Sequence, residues 1–431
     1  MNSTATPQQN PMSRVMSLPD FRLLFAGSTM SSLGDQFALV ATPWLVLQLT
    51  GDPLALGIVL ALEGLPRAIF MLLGGAVTDR FSPRLVMLVS DLIRLLLTSL
   101  MVAAVFTGTV QMWMVYAFAL GFGLVAGFAV PAANSIVPML VQEDDLQAGN
   151  SIVMGAGQLV QFVGPTIAGI LIGKYSSSAL GIGLAFTVDA ISFAVSALCL
   201  WLMSAKQSQV SGEKPKESIW SSIVVAVKYL WHDDTLRVFF LILAAVNLLF
   251  TGPLLVGIPV LADQYLPEGA VAFGLLMSAV AGGYLLGILL AGVLPRPKGK
   301  AMSAFLVFLL ISFGVALALF GFIRSTWLDF ALLLVLGIGN GYIAILMFTW
   351  MQANTPKEML GRMMSMVLLA GSGLIPISQA ISGAVIRHNM EGLFIVAGIL
   401  IVLVALWAGL QPGVRAFGEE LAANPQALAS E

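Results

Sequence analysis

The chain has 431 residues, of which 58% are hydrophobic and only 10% charged, against roughly a quarter charged in soluble globular proteins. So few charges cannot cover that much apolar surface in water, so the composition demands a bilayer as solvent. A formal net charge of −2 without a basic patch excludes a nucleic-acid binder, and a single cysteine, Cys199, excludes an intramolecular disulfide or a thiolate metal cluster.

Residues 1–20 are polar, with Pro7, Pro11 and Pro19, and read as a mostly disordered cytoplasmic tail. Apolar runs follow at about 22–48, 54–78, 84–106, 111–139, 150–173 and 179–204. A second set covers about 236–261, 270–293, 302–323, 327–351, 361–386 and 391–411. Each is long enough for a helix of about 20 residues to cross the hydrocarbon, where every backbone polar group must be paired within its own segment. Small-residue pairs one helical turn apart, Gly123/Gly127, Gly169/Gly173, Gly283/Gly287 and Gly337/Gly341, predict close helix contacts. The expected fold is therefore an all-α membrane protein of twelve transmembrane helices. It divides into a tail (1–20), a six-helix bundle (21–204), a polar linker with an interfacial helix (205–235), a second six-helix bundle (236–411) and a tail (412–431).

With both termini cytoplasmic, fifteen Lys and Arg residues lie inside and three (Lys174, Arg324, Arg387) outside, as the positive-inside rule requires. The linker, Lys206 to Glu217, is followed by Ile219, Trp220, Ile223, Val227, Leu230 and Trp231 at helical spacing, the pattern of a helix lying on the membrane surface. The halves echo each other. Leu146 to Gly169, with Gly149, Ser151 and Pro165, can be laid over Leu360 to Gly383, with Gly361, Arg362, Ser365 and Pro376, and such pseudo-symmetric halves are how many secondary transporters are built.

Six ionisable residues lie well inside the runs, away from their ends: Asp35, Glu63, Arg67, Asp91, Arg94 and Asp189. Each costs about 2.5–3.5 kcal/mol to insert even on the lenient scale, so they are expected to face the bundle interior. Glu63 and Arg67 share a helix face, with Asp35 at similar depth on the preceding span. A buried Arg cannot deprotonate, and two carboxylates for one Arg leave a spare that can load a proton. Asp35, Glu63, Arg67 and Asp189 are the proton-coupling candidates, with a static ion pair as the alternative for the first three and an internal hydrogen bond for Asp189. Asp91 and Arg94 are read with a charge network at the cytoplasmic surface, beside Asp79, Arg80 and Arg84. Polar and aromatic candidates for a substrate wall are Phe37, Gln158, Gln161, Asn247, Asn340, Tyr342 and Trp350, each also explicable by packing. His232 and His388 lie outside the spans, which disfavours an intramembrane enzyme, and no phosphate-binding Gly-x-x-x-x-Gly-Lys-Ser/Thr loop occurs for a nucleotide-driven pump.

The stretch Gly75-Ala-Val-Thr-Asp79-Arg80-Phe-Ser-Pro-Arg84 resembles the cytoplasmic loop signature of the major facilitator superfamily, with Ser82 and Pro83 departing from it. Gly157 to Gly169, containing Gly164-Pro165, resembles the fifth-helix signature of that superfamily's drug and proton antiporters. Pro19-Asp-Phe-Arg-Leu-Leu-Phe, Ser31-Ser-Leu-Gly-Asp35, Leu49-Thr-Gly-Asp-Pro-Leu-Ala-Leu-Gly57 and Pro138-Met-Leu-Val resemble the branch with macrolide-efflux proteins and an enterobactin exporter. The antiporters' fourth-helix Arg is missing, since Met112 to Met139 contains no Arg. The resemblance implies a monomeric bacterial inner-membrane exporter of an amphipathic small molecule, drug-like or siderophore-like. It needs no cofactor beyond the proton gradient, and its conformational lock is carried by Gly75, Asp79, Arg80, Arg84, Asp91 and Arg94. A lysophospholipid flippase or an uncoupled facilitator of the same fold is the competing expectation.

Overall fold

A computed structural model describes residues 10–175, 179–204, 228, 231–294, 299–355 and 373–414. Every regular element among them is helical. In chain order these are α1 Pro11–Ser17, α2 Pro19–Thr50, α3 Pro53–Arg80, α4 Pro83–Phe106, α5 Met112–Ile136, α6 Leu146–Lys174 and α7 Leu180–Leu202. There follow α8 Asp234–Gln264, α9 Ala270–Val293, α10 Lys300–Phe320, α11 Thr326–Asn354, α12 Gly373–Ile386 and α13 Met390–Leu410. Proline supplies the first residue of α1, α2, α3 and α4, where its fixed φ suits a helix start and its missing N–H goes unneeded.

Among the described residues ten helices are long and apolar enough to cross a membrane. α2 falls outside the ten although it has 32 residues, because residues such as Asp35 and Gln36 dilute its apolar content, and α12 is the shorter Gly373–Ile386. The protein is therefore a multi-pass membrane protein. Gly361, Arg362 and Ser365, the Lys206–Glu217 linker and the surface helix expected from Ile219 to Leu230 lie outside the described residues, as does the side chain of Asp79.

The start of the chain departs from expectation. Residues 11–17 form a helix instead of a disordered tail, because Asn10 caps it through Met12 N at 3.1 Å. Val15 is fully buried in a cluster with Phe21, Ile136, Leu200 and Met203. Arg14 clamps the buried Asp145, with Nε donating to Oδ2 at 2.8 Å. That hydrogen bond raises the Arg14 pKa above its ordinary value, so the guanidinium stays charged.

The contacts divide the chain into two compact units, residues 1–42 with 66–212 and residues 43–65 with 213–431. Both boundaries inside helices fall at a proline, Pro43 in α2 and Pro66 in α3, where the helix ladder lacks a bond. In the first unit α4 packs along α7 and α5, and α6 along α7. Arg84 caps the end of α7, donating to the Leu200 and Trp201 carbonyls at 2.6 and 2.7 Å, a cation at a helix C-terminus.

In the second unit the two glycine pairs read from the sequence meet each other. Gly283 and Gly287 of α9 face Gly337 and Gly341 of α11, and a β-carbon on Gly287 would stand 2.8 Å from Tyr342 N. The 43–65 segment packs on α12, where Gly57 meets Gly383 and Gly64 meets the Pro376 ring. Asp52 and Arg387 pair there at 3.6 Å. α8 is interrupted by a π-turn at Asn247–Thr251, and Ser378 of α12 donates to the Leu248 carbonyl in it.

Candidate functional site

The first unit gathers charge at one place. Asp35 comes from α2, Asp91 and Arg94 from α4, and Asp189 from α7. Asp91 and Asp189 are 6% and 0% exposed. Asp91 accepts a hydrogen bond from Ser196 Oγ at 2.6 Å, and Asp189 accepts one from Thr98 Oγ1 at 3.3 Å. Ser192 Oγ donates to the Asp189 backbone carbonyl at 2.7 Å. Asp189, Ser192 and Ser196 recur at i, i+3, i+7, so they form a polar stripe on an otherwise apolar helix.

Two cations act on Asp35, first Arg94 and then Arg67, and Arg94 also acts on Asp91. The Arg94 guanidinium lies 5.5 and 5.8 Å from the ring centroids of Phe193 and Phe122, two adjoining rings whose own centroids are 5.8 Å apart. Its Nε is buried with no hydrogen-bond partner among the described residues. The site therefore holds three carboxylates and two guanidiniums. Neither Arg can give up its proton, so one carboxylate is left over to bind one.

Backbone contact holds the site tight. A β-carbon on Gly34 would collide with Ser192 Oγ and stand 2.8 Å from Asp189 Oδ1, so α2 and α7 touch here through glycine alone. Two residues along α2 from Gly34, Gln36 meets Gly164, which is followed by Pro165, so the Gly-Pro pair seats α6 on α2.

The structure thus redraws the grouping read from the sequence. Arg94 and Asp91 sit with Asp35 in the bundle interior, because α4 begins at Pro83 and about 1.5 Å per residue carries Asp91 and Arg94 some 12–17 Å along it. Glu63 lies before Pro66 and falls in the second unit, with Arg67 in the first. Thr98, Ser192 and Ser196 are new to the site, and the polar stripe on α7 was the signal for them.

Among the lock candidates, Arg84 caps α7, Arg80 is exposed, and no described residue comes within 4 Å of where a β-carbon on Gly75 would stand. In the fifth-helix motif Gly164, Pro165 and Gly169 are buried and Gly157 meets nothing within 4 Å. Among the substrate-wall candidates Gln161 and Asn340 are exposed, Phe37 is buried, and Gln158 Oε1 is buried without a partner among the described residues. Asn247 is buried in the π-turn and donates to the Leu243 carbonyl at 2.9 Å. Tyr342 and Trp350 pack inside the second unit's core, edge-on to Phe305 and tilted on Phe239. Among the described residues no three His, Cys, Asp or Glu side chains gather to hold a metal ion.

A family model of the Major Facilitator Superfamily matches residues 24–379. The chain belongs to this superfamily. The multidrug efflux pump Tap of Mycolicibacterium fortuitum is 26% identical over 417 residues, covering 94% of this chain and 98% of the relative. The enterobactin exporter EntS of Shigella flexneri is 25% identical over 352 residues, covering 80% and 79%. A solved mutant of the nucleoside transporter NupG shares the fold with a TM-score of 0.72 at 13% identity, over 92% of this chain and 99% of that one. A bacterial homolog of the human lysosomal transporter Spinster, inward-facing and unoccupied, gives 0.67 at 15% identity over 95% and 98%. As a member of the major facilitator superfamily the protein is a membrane transporter and not an enzyme.

Proposed function

We propose that this transporter exports an amphipathic small molecule, drug-like or siderophore-like, across a bacterial inner membrane in exchange for protons. Twelve crossings, cytoplasmic termini and alternating access belong to the same reading, and it treats the transporter as a monomer. The single observation that carries it is the cluster of Asp35, Arg94, Asp91 and Asp189, with Asp91 and Asp189 buried and Arg67 acting on Asp35. A static pair would need equal charges; the surplus carboxylate is what a proton carrier needs. The export direction is supported by relatives named as a multidrug efflux pump and an enterobactin exporter.

In this mechanism Asp35 is the carboxylate that alternates between proton and Arg94. Protonation releases Arg94 to Asp91, and deprotonation draws it back, so the charge state biases how α2 sits against α4 and α7. Gln158, Gln161 and Asn340 supply polar anchors in a mainly apolar substrate wall, while Tyr342 and Trp350 act behind it as packing. The proton gradient is the only energy source, and no cofactor takes part. The decisive experiment is transport in proteoliposomes with an imposed pH gradient, using dyes, macrolides and siderophore-like compounds. Wild type is expected to move a compound against its gradient, and Asp35→Asn to lose the dependence on pH. Movement indifferent to the gradient would replace this reading with a facilitator, and movement of labelled lysophospholipid alone with a flippase.

A further inference from the structure

The second unit contains an acid that the mechanism above does not use. Asp329 lies in the first turn of α11, 0% exposed, and neither carboxylate oxygen has a hydrogen-bond partner among the described residues. An ionised carboxylate buried in this way would lose its hydration with nothing returned, whereas a protonated one carries no such penalty. Among the described residues the charge that acts on it is that of Arg324, in the turn just before the helix. Arg324 is already engaged: it donates to Glu391 at 3.0 Å and to the Gly321 carbonyl at 2.7 Å, and stacks 4.1 Å over the Tyr265 ring.

The surroundings add no second cation. α9, packed along α11, carries no charged side chain, and its one titratable group, Tyr284, meets α11 at Gly341, twelve residues and about 18 Å beyond Asp329. α10 carries only Lys300, at its opposite end. Glu268, in the connection from α8 to α9, is held by the Thr326 hydroxyl at 2.5 Å. Glu391 and Tyr265, the partners of Arg324, also line a cavity of about 560 Å³ together with Asp52, Arg387 and His388. Arg324 thus touches two residues of that polar cavity and also acts on the buried acid.

We infer that Asp329 is a second proton-binding site, separate from the Asp35 cluster, with Arg324 as the counter-ion that takes its carboxylate when the proton leaves through the cavity. In that step the O–H bond of the carboxylic acid breaks, the proton passes to water in the cavity, and Arg324 exchanges Glu391 for Asp329. In the proposed orientation the cavity opens to the outer side.

Infrared spectroscopy of the full chain in nanodiscs tests this without any substrate, so its outcome is independent of the export reading. Near neutral pH the wild type is expected to show a carboxylic-acid C=O band that shifts in heavy water and is lost in Asp329→Asn. Asp329→Glu should move that band and not abolish it, which secures the assignment if the Asn variant folds poorly. Arg324→Gln should let the band persist to higher pH. Loss of carboxylate bands alone in Asp329→Asn would overturn the inference, and an unchanged titration in Arg324→Gln would overturn the counter-ion role.

Discussion

Arg94 has two aromatic faces for a sheath and two carboxylates, Asp35 and Asp91, within reach of its charge. Removing it leaves those carboxylates without their nearer counter-ion, and breaking a buried pair from one side costs up to about 3–5 kcal/mol. Arg94 is only partly buried, so Arg94→Gln is expected to destabilise the protein by about 1–3 kcal/mol, read as a fall in thermal unfolding temperature in detergent. Asp35→Asn in the same chain should recover part of that loss; strictly additive losses would mean that the two do not interact. Gly34 tests the same site through packing. Gly34→Ala should force α2 from α7 at a cost of about 1–3 kcal/mol, relieved by Ser192→Gly, which removes the atom in collision. At this scale the sequence revealed which residues carry charge but not which meet. Asp35 and Asp189 were legible as costly buried groups, whereas the approach of Arg94 to Asp35 depends on how α2 and α4 lie side by side, and periodicity along one helix carries no information about that.

Elements were far more legible than their partners. Each apolar run is helical where its residues are described, and proline marked the first residue of three of these helices, because both signals are local. The glycine pairs of α9 and α11 foretold close contact, though not that they would meet each other. Their seam predicts a sharp contrast within α9. Gly287→Ala should collide with the Ile338 carbonyl and lower the unfolding temperature by several degrees, whereas Gly292→Ala meets nothing within 4 Å and should leave it unchanged. Equal effects would mean that helix propensity, not packing, is being measured. α1 and the π-turn of α8 escaped the sequence reading for a different reason. A seven-residue helix has no periodicity to show, and its stability comes from Arg14 reaching Asp145. The π-turn likewise frees backbone groups that a distant residue must satisfy. Ser378→Ala removes the donor to the Leu248 carbonyl, and the expected loss is about 1–3 kcal/mol of stability.

For the whole molecule, alternating access requires that some residues matter only in a state other than the one described. Gly74 and Gly75 are neighbours on α3 that separate packing from cycling. A β-carbon on Gly74 would collide with the Gly127 carbonyl and stand 2.9 Å from Phe128 Cα, so Gly74→Ala should damage the first unit itself. Among the described residues nothing stands within 4 Å of where a β-carbon on Gly75 would be, so Gly75→Ala should fold and melt like wild type. If the loop signature works as a lock, another surface closes on Gly75 in the opposite state, and the added methyl would exclude that approach. Transport in proteoliposomes should then fall several-fold while stability stays constant, and cysteine labelling from the two sides should shift away from the locked state. Asp79→Asn should shift the same labelling in the same direction, because it removes the lock's charge and not its fit. A Gly75→Ala protein that transports at the wild-type rate would show that the glycine takes no part in the cycle, and the locking role would then rest on Asp79, Arg80 and Arg84 alone.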